Sequence, residues 1–368
     1  MGQDTDVFIV GGGPAGLAAA IAVRQRGFRV IVGDGAKPPI TKACGEGLLP
    51  DALQALSELG VELRENDGRA FRGIRFEDDR ASVSASFPAG HGLGMRREIL
   101  HQRMIERARD CGVRLLWNTP VMQLYEEGVV AAGNKIPARW VIGADGSRSR
   151  VRRWSGLENL GPRRSRFAFR VHYRLAPWSD FTEIYWSAEA QAYVTAVAEQ
   201  EICVVLISSR PEARFQETLT RFPKLASRLK GGVQASVERG AVTSMLELKR
   251  VHRGNVALVG DASGSVDAIT GEGLSLSFRQ ATPLADALVA DNLGRYQKWH
   301  QLVFRRPRLM GDLLLLLDRR SGLRARTMRA LEAAPQLFER MLGYHVGEKR
   351  PLQLAAASAL FGWRFLTA

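Results

Sequence analysis

The chain has 368 residues, 45% of them apolar and 24% charged, which fits a folded protein with a sizeable core and excludes a disordered one. Its three cysteines, Cys44, Cys111 and Cys203, are odd in number and far apart, so a disulfide framework is not expected and a reducing compartment is. The formal charge of +14 is spread along the chain and carried mostly by arginine; without a basic stripe or a nucleic-acid motif it reads as a solvated surface, not a nucleic-acid interface.

In chain order, the first element is DVFIV, Asp6–Val10, an apolar run of strand length that ends in a glycine cluster. Pro14 to Arg26 is alanine-rich and helical in character, closed by Gly27, and RVIVG, Arg29–Gly33, is a second strand. Together they predict a βαβ unit. Between its strands, GGGPAG places Gly11, Gly13 and Gly16 in G-x-G-x-x-G register, with Pro14 and Ala15 opening the helix. Glycines at that spacing allow the tight turn, the approach of backbone to a pyrophosphate and the packing of helix on strand. Asp34, ending the second strand, is placed to accept hydrogen bonds from a ribose. KACGEGL, Lys42–Leu48, follows; it sets Cys44 and Glu46 among glycines.

Alternation from Phe71 to Pro88 predicts antiparallel strands. A helix is expected over Glu98–Asp110, then strands at Val113–Trp117 and Ala138–Ala144, the latter running into DGSRSRVRR. Strand signals dominate Ser165–Ser208; a strand at Asn255–Val259 precedes a glycine-bearing turn and a helix from about Gly273. Beyond Leu293 the pattern is helical to the end. The six histidines show no metal-ligand spacing, so no metal is expected, and His172, alternating with Arg170 and Arg174, reads as a surface residue or one facing a substrate. The polar N-terminus and the absence of a long apolar run give neither a signal peptide nor a spanning helix, and the expected location is the cytoplasm. The segment from Lys298 to Arg350 carries twelve Lys/Arg against five Asp/Glu, with Leu309, Met310, Leu313, Leu314 and Leu317 at helical spacing. Such cationic helices are candidates for peripheral contact with an anionic membrane, although packing on the domain itself is the commoner use.

Three motifs in order, GGGPAG, DGSRSRVRR and the late GDASGSVDAITGEGL, resemble the FAD-dependent aromatic hydroxylase superfamily, which includes p-hydroxybenzoate hydroxylase-like monooxygenases, flavin halogenases and geranylgeranyl reductases. The resemblance covers roughly the first 290 residues. It implies an α/β fold: a Rossmann-like FAD-binding domain (1–70, 95–160 and 248–295) interleaved with a mixed β-sheet substrate domain (71–94 and 161–247), and a helical C-terminal extension (296–368). It also implies FAD held by Gly11, Gly13, Gly16 and Asp34, by Asp145 and Gly146 of the middle motif with Arg152 closing it, and by Asp261 of the late one. Arg97, or its neighbour Arg96, resembles the arginine lying along the cofactor. Gly271, Glu272 and Gly273 would start a helix whose N–H groups face the reduced ring. Many relatives carry proline where Ala268 stands, and the W-x-W-x-I-P signature of the halogenases is missing.

The pairing of C-G-x-G-L with the late T-G-E-G looks most like the geranylgeranyl reductase branch. There Cys44 would lie beside the flavin, either giving a proton to a reduced alkene or lining the ring, and Glu46 would orient it or the substrate. The leading expectation is nonetheless an NAD(P)H-dependent monooxygenase that hydroxylates a hydrophobic aromatic or lipid-like substrate through a flavin hydroperoxide. Saturation of prenyl double bonds is the runner-up, and a halogenase-like or inactive FAD-binding relative stands third. A separate electron-donor protein is a candidate partner under either redox reading.

Overall fold

The computed structural model describes residues 5–158, 165–188 and 190–347; the apolar segment LQLAAASALFGW lies outside them. Its centre is a sheet in which the strand Thr5–Val10 runs parallel to Val30–Gly33 on one side and to Asn134–Gly143 on the other. Arg114–Leu116 extends the parallel set at one edge and Val256–Leu258 at the other. The helix Pro14–Gln25 crosses between the first two strands, and its almost wholly buried alanine-rich face shows why small residues fill this stretch. Gly27, at φ 89°, turns the chain back into the sheet where a side chain would be strained. The three nucleotide-type motifs all leave this sheet at the carboxyl ends of strands, the edge at which open α/β sheets bind ligands.

A second sheet takes Gly73–Glu77 and Ser82–Ser86 from the early insert and joins them to Phe181–Ser187, Ala190–Ala198, Glu201–Ser208 and Ser165–Arg174 from the later one. Strand alternation divides its side chains cleanly. Ile202, Val204 and Leu206 point to one face, which the short helices Phe215–Leu219 and Pro223–Arg228 cover. Cys203, Val205 and Ile207 point to the other. A small three-stranded sheet, Gly47–Leu48, Gly92–Gly94 and Arg69–Phe71, packs on the strand Ala190–Ala198 of the second and carries the end of KACGEGL.

The C-terminal helices Leu293–Arg319, Ser321–Ala333 and Pro335–His345 pack largely against the second sheet, with Phe338 stacked on Phe76 at 4.8 Å. The leucine stripe expected on the first of them is split. Leu314 and Leu317 are buried against the sheet and Met310 is half-buried there, while Leu309 and Leu313 face outward with Leu302 and Leu316. Among the described residues no helix is long and apolar enough to cross a membrane.

Candidate active site

One cavity of about 690 Å³ runs from the carboxyl edge of the parallel sheet to the inner face of the second sheet. Of the residues singled out in the sequence, Gly11, Gly13, Pro14, Ala15, Asp34, Arg97, Asp145, Gly146, Asp261, Gly271 and Gly273 line it, as do Cys44 and Glu46. The chain brings them together from five separate segments.

The glycines of the first motif divide the work. At φ 111°, Gly11 holds a conformation that a side chain would resist. A Cβ on Gly16 would collide with the Gly11 carbonyl oxygen, so this glycine keeps helix and strand in contact. Gly13 has neither reason: its φ is −73° and a Cβ there would meet nothing within 4 Å. Gly273 is likewise in open space at the start of its helix. What the two share is the cavity wall, where a missing side chain leaves room for a ligand. The helix Pro14–Gln25 has no side-chain cap, so its first-turn N–H groups are left to the cavity, an arrangement suited to a pyrophosphate.

Asp34 accepts hydrogen bonds from the Gly12 N–H at 2.7 Å and the Ala36 N–H at 2.7 Å, which fixes its carboxylate at the cavity edge. Asp145 caps the short helix Arg150–Trp154, accepting from the Ser149 hydroxyl at 2.5 Å and the Arg150 N–H at 2.6 Å. Arg152 does not reach the cavity. Fully buried, it donates to the carbonyls of Ala262 at 3.1 Å and Ser147 at 2.8 Å, tying the middle motif to the late one. Asp261 pairs with Lys42 at 3.0 Å, which joins the late motif to KACGEGL. Of the two adjacent arginines, Arg97 faces the cavity, its Nε without a protein partner, whereas Arg96 pairs with Glu201.

Glu272 differs from the glycines flanking it. Its carboxylate is buried under the C-terminal helices, 3.7 Å from Arg306 and 3.6 Å from His345, and burial pushes its pKa above the usual carboxylate range. It braces the loop from behind and does not face the cavity.

Cys44 stands half-buried in the wall, its sulfur accepting the Glu46 N–H at 3.4 Å. His172 corrects one expectation: it is wholly buried instead of lying at the surface, with Nε2 2.7 Å from the carboxylate of Glu46, which is buried beside it. The even register of Ser165–Arg174 turns Arg170 and His172 inward, a signal present in the sequence; the partner, 126 residues earlier, is not. Lys42 was likewise unassigned, since nothing local announces an acid 219 residues away.

A family profile described as FAD binding domain matches residues 4–299. The chain belongs to this FAD-binding family. It is a flavoprotein, and the relatives it matches are named as reductases and as a putative monooxygenase. The cavity fits that assignment: the uncapped helix start, Gly13 and Gly273 leave a cradle with room for the cofactor, and the Asp34 carboxylate stands at its edge. The flavoprotein is 32% identical to a menaquinone reductase of Mycobacterium tuberculosis over 41% of its own length, and the match likewise spans only 41% of that relative. A digeranylgeranylglycerophospholipid reductase of Thermoplasma volcanium is 25% identical over 80% of the chain and 82% of the relative. Among solved structures, a geranylgeranyl bacteriochlorophyll reductase-like protein of Thermoplasma acidophilum superposes with a TM-score of 0.73 at 20% identity, covering 87% of this chain and 89% of that one. Other relatives and neighbours include a putative FAD-dependent monooxygenase and a flavin-dependent halogenase.

Proposed function

We propose that this flavoprotein saturates carbon–carbon double bonds in an apolar, isoprenoid-like substrate. The observation that carries the reading is the contrast between the two ends of the cavity. The end at the parallel sheet offers helix N–H groups, Asp34 and Arg97; the far end presents Ile74, Ala168, Ile184, Val205 and Ile207 of the second sheet with Phe71 beside them, and the polar groups which that sheet adds, Thr182, Tyr193, Thr195, Thr243 and Ser244, are all neutral hydroxyls. A phenolate awaiting hydroxylation calls for a charged partner there, whereas an alkyl chain calls for none, and the Tyr193 hydroxyl already donates to the Ile269 carbonyl at 3.1 Å. Cys44 stands in the same wall. The relatives named for reduction of prenyl lipids, matched along most of the chain, favour the same side.

FAD, when bound, supplies two-electron transfer, and NAD(P)H or a separate donor protein replenishes it. The chain's own residues do the rest. The first helix and Asp34 would hold the cofactor's phosphates and ribose, and the helix start at Gly273 would offer its N–H groups to the ring. The apolar sheet excludes water and fixes the chain of the substrate. At the alkene the Cys44 thiol would give its proton to one carbon while the reduced cofactor would supply a hydride to the other, and water would reprotonate the thiolate, so that each double bond gains two hydrogens.

Oxygenation, the leading expectation from sequence, has one observation in its favour: the putative monooxygenase of Bacillus subtilis aligns with 77% of the chain. One incubation separates the two. Purified protein, FAD, NAD(P)H and a prenyl-lipid extract are combined under isotopically heavy oxygen and analysed by mass spectrometry. A product two hydrogens heavier, formed equally well without oxygen, is expected; a product carrying one heavy oxygen would overturn the proposal. In the same assay Cys44→Ala is expected to lower turnover by about 100-fold or more while FAD stays bound.

A further inference from the structure

Behind the Cys44 loop lies a buried charged cluster that the binding of FAD does not explain. Glu46 adopts φ 58°, a left-handed conformation uncommon for a residue with a side chain. That conformation aims its N–H at the Cys44 sulfur, 3.4 Å away. Its carboxylate points the other way, with no solvent exposure, and takes three partners: His172 Nε2 at 2.7 Å, Arg170 at 3.2 Å and the Arg97 N–H at 3.3 Å. A carboxylate buried so completely persists only when paired, so these partners hold the loop in its strained form.

We propose that Arg170 and His172, on the inner face of the second sheet, are positioning residues that hold Cys44 in the cavity wall through Glu46. The inference rests on the reading of Cys44 as the proton donor. Strand register makes it possible: Ala168, Arg170 and His172 share one face, so the strand that lines the cavity with Ala168 also carries the latch. The outer nitrogen of His172 lies 3.1 Å from the hydroxyl of half-exposed Ser236, which matches a ring that donates from Nε2 to Glu46 and accepts from Ser236 at Nδ1. Glu98, 3.9 Å from Arg170, is the further acid facing the cluster. Ligand atoms of Glu46, His172 and Cys203 lie within 4.8 Å of one another, a spacing a metal ion would accept. The Arg170 guanidinium, 3.0 Å from the imidazole and 3.2 Å from the carboxylate, already supplies the positive charge there.

The latch is tested by timed alkylation with iodoacetamide at fixed pH, scored by peptide mass spectrometry at Cys44 with Cys111 as internal reference. In His172→Leu the loop is released, and the Cys44-to-Cys111 rate ratio is expected to rise by about five-fold or more. His172→Gln, which keeps an N–H toward Glu46, is expected to return the ratio to within about two-fold of wild type. General loosening of the fold would speed both cysteines together, and that outcome overturns the proposal, as does an unchanged ratio. Arg170→Lys is scored in the same way should His172→Leu fail to fold. Alkylation needs neither cofactor nor substrate, so a raised ratio in a protein that reduces no double bond would defeat the alkene reading and leave the latch standing.

Discussion

Gly13 and Gly16 lie three residues apart in one motif and answer to different constraints, which makes them separable by mutation. Gly16→Ala drives a methyl group into the Gly11 carbonyl and is expected to lower stability by about 1–3 kcal/mol, read as a urea midpoint. Gly13→Ala meets no protein atom, so the fold should hold while FAD affinity falls by about ten-fold, read by titrating FAD into the cofactor-free protein. His300 bears on acid stability. It is buried beside Ser263 and stacked on Phe304, and burial, helped by nearby Arg308, pushes its pKa down to about 3. The unfolded chain takes up a proton near pH 6.5 that the folded chain refuses, so stability is full above that pH and falls as pH drops toward 3. His300→Gln should therefore lose about 1 kcal/mol less than wild type between pH 7 and 5.5 in urea titrations.

At the scale of elements, the helix Leu293–Arg319 turns two apolar faces in different directions. One is buried on the second sheet; the other exposes Leu302, Leu309, Leu313 and Leu316 among arginines. An exposed cationic and apolar face suits an anionic bilayer, where a lipid-like substrate would reside. The wild-type protein is expected to sediment with phosphatidylglycerol vesicles and not with neutral ones. Leu302, Leu309 and Leu316 changed together to Glu should abolish that binding at unchanged FAD content, since none is buried. The same helix shows where reading by pattern stops. Helical spacing in the sequence located the leucines, but only a packed neighbour decides which side is covered. Strand alternation told more: it turned Arg170 and His172 to one face, yet read as a surface because the acid that buries them comes from Glu46.

Across the whole molecule, the parts legible in sequence are those whose chemistry is local: a glycine register, an acid ending a strand, a helix start. The parts hidden are the ones chain folding creates, such as the Lys42–Asp261 pair and the brace on the late loop. That brace joins both halves of the protein. His345 bonds to the Thr270 carbonyl at 3.0 Å, Arg306 faces Glu272, and Arg166 of the second sheet holds Asp267 at 2.9 Å, so the turn carrying Gly271 and Gly273 is gripped from behind by the C-terminal helices and the sheet. His345→Phe together with Arg306→Met should weaken FAD binding by several-fold, measured by fluorescence titration, although neither substituted residue lines the cavity.

Such a grip runs in both directions. Whatever engages the outer face of Leu293–Arg319 and shifts that helix also shifts the turn beneath it, and the free energy of that coupling has no preferred sender. A bilayer that tightens FAD on the protein would, by the same factor, be held more tightly by protein that carries FAD. Cofactor loading would then act as an address, keeping the charged flavoprotein where its substrate lies and letting the empty chain go.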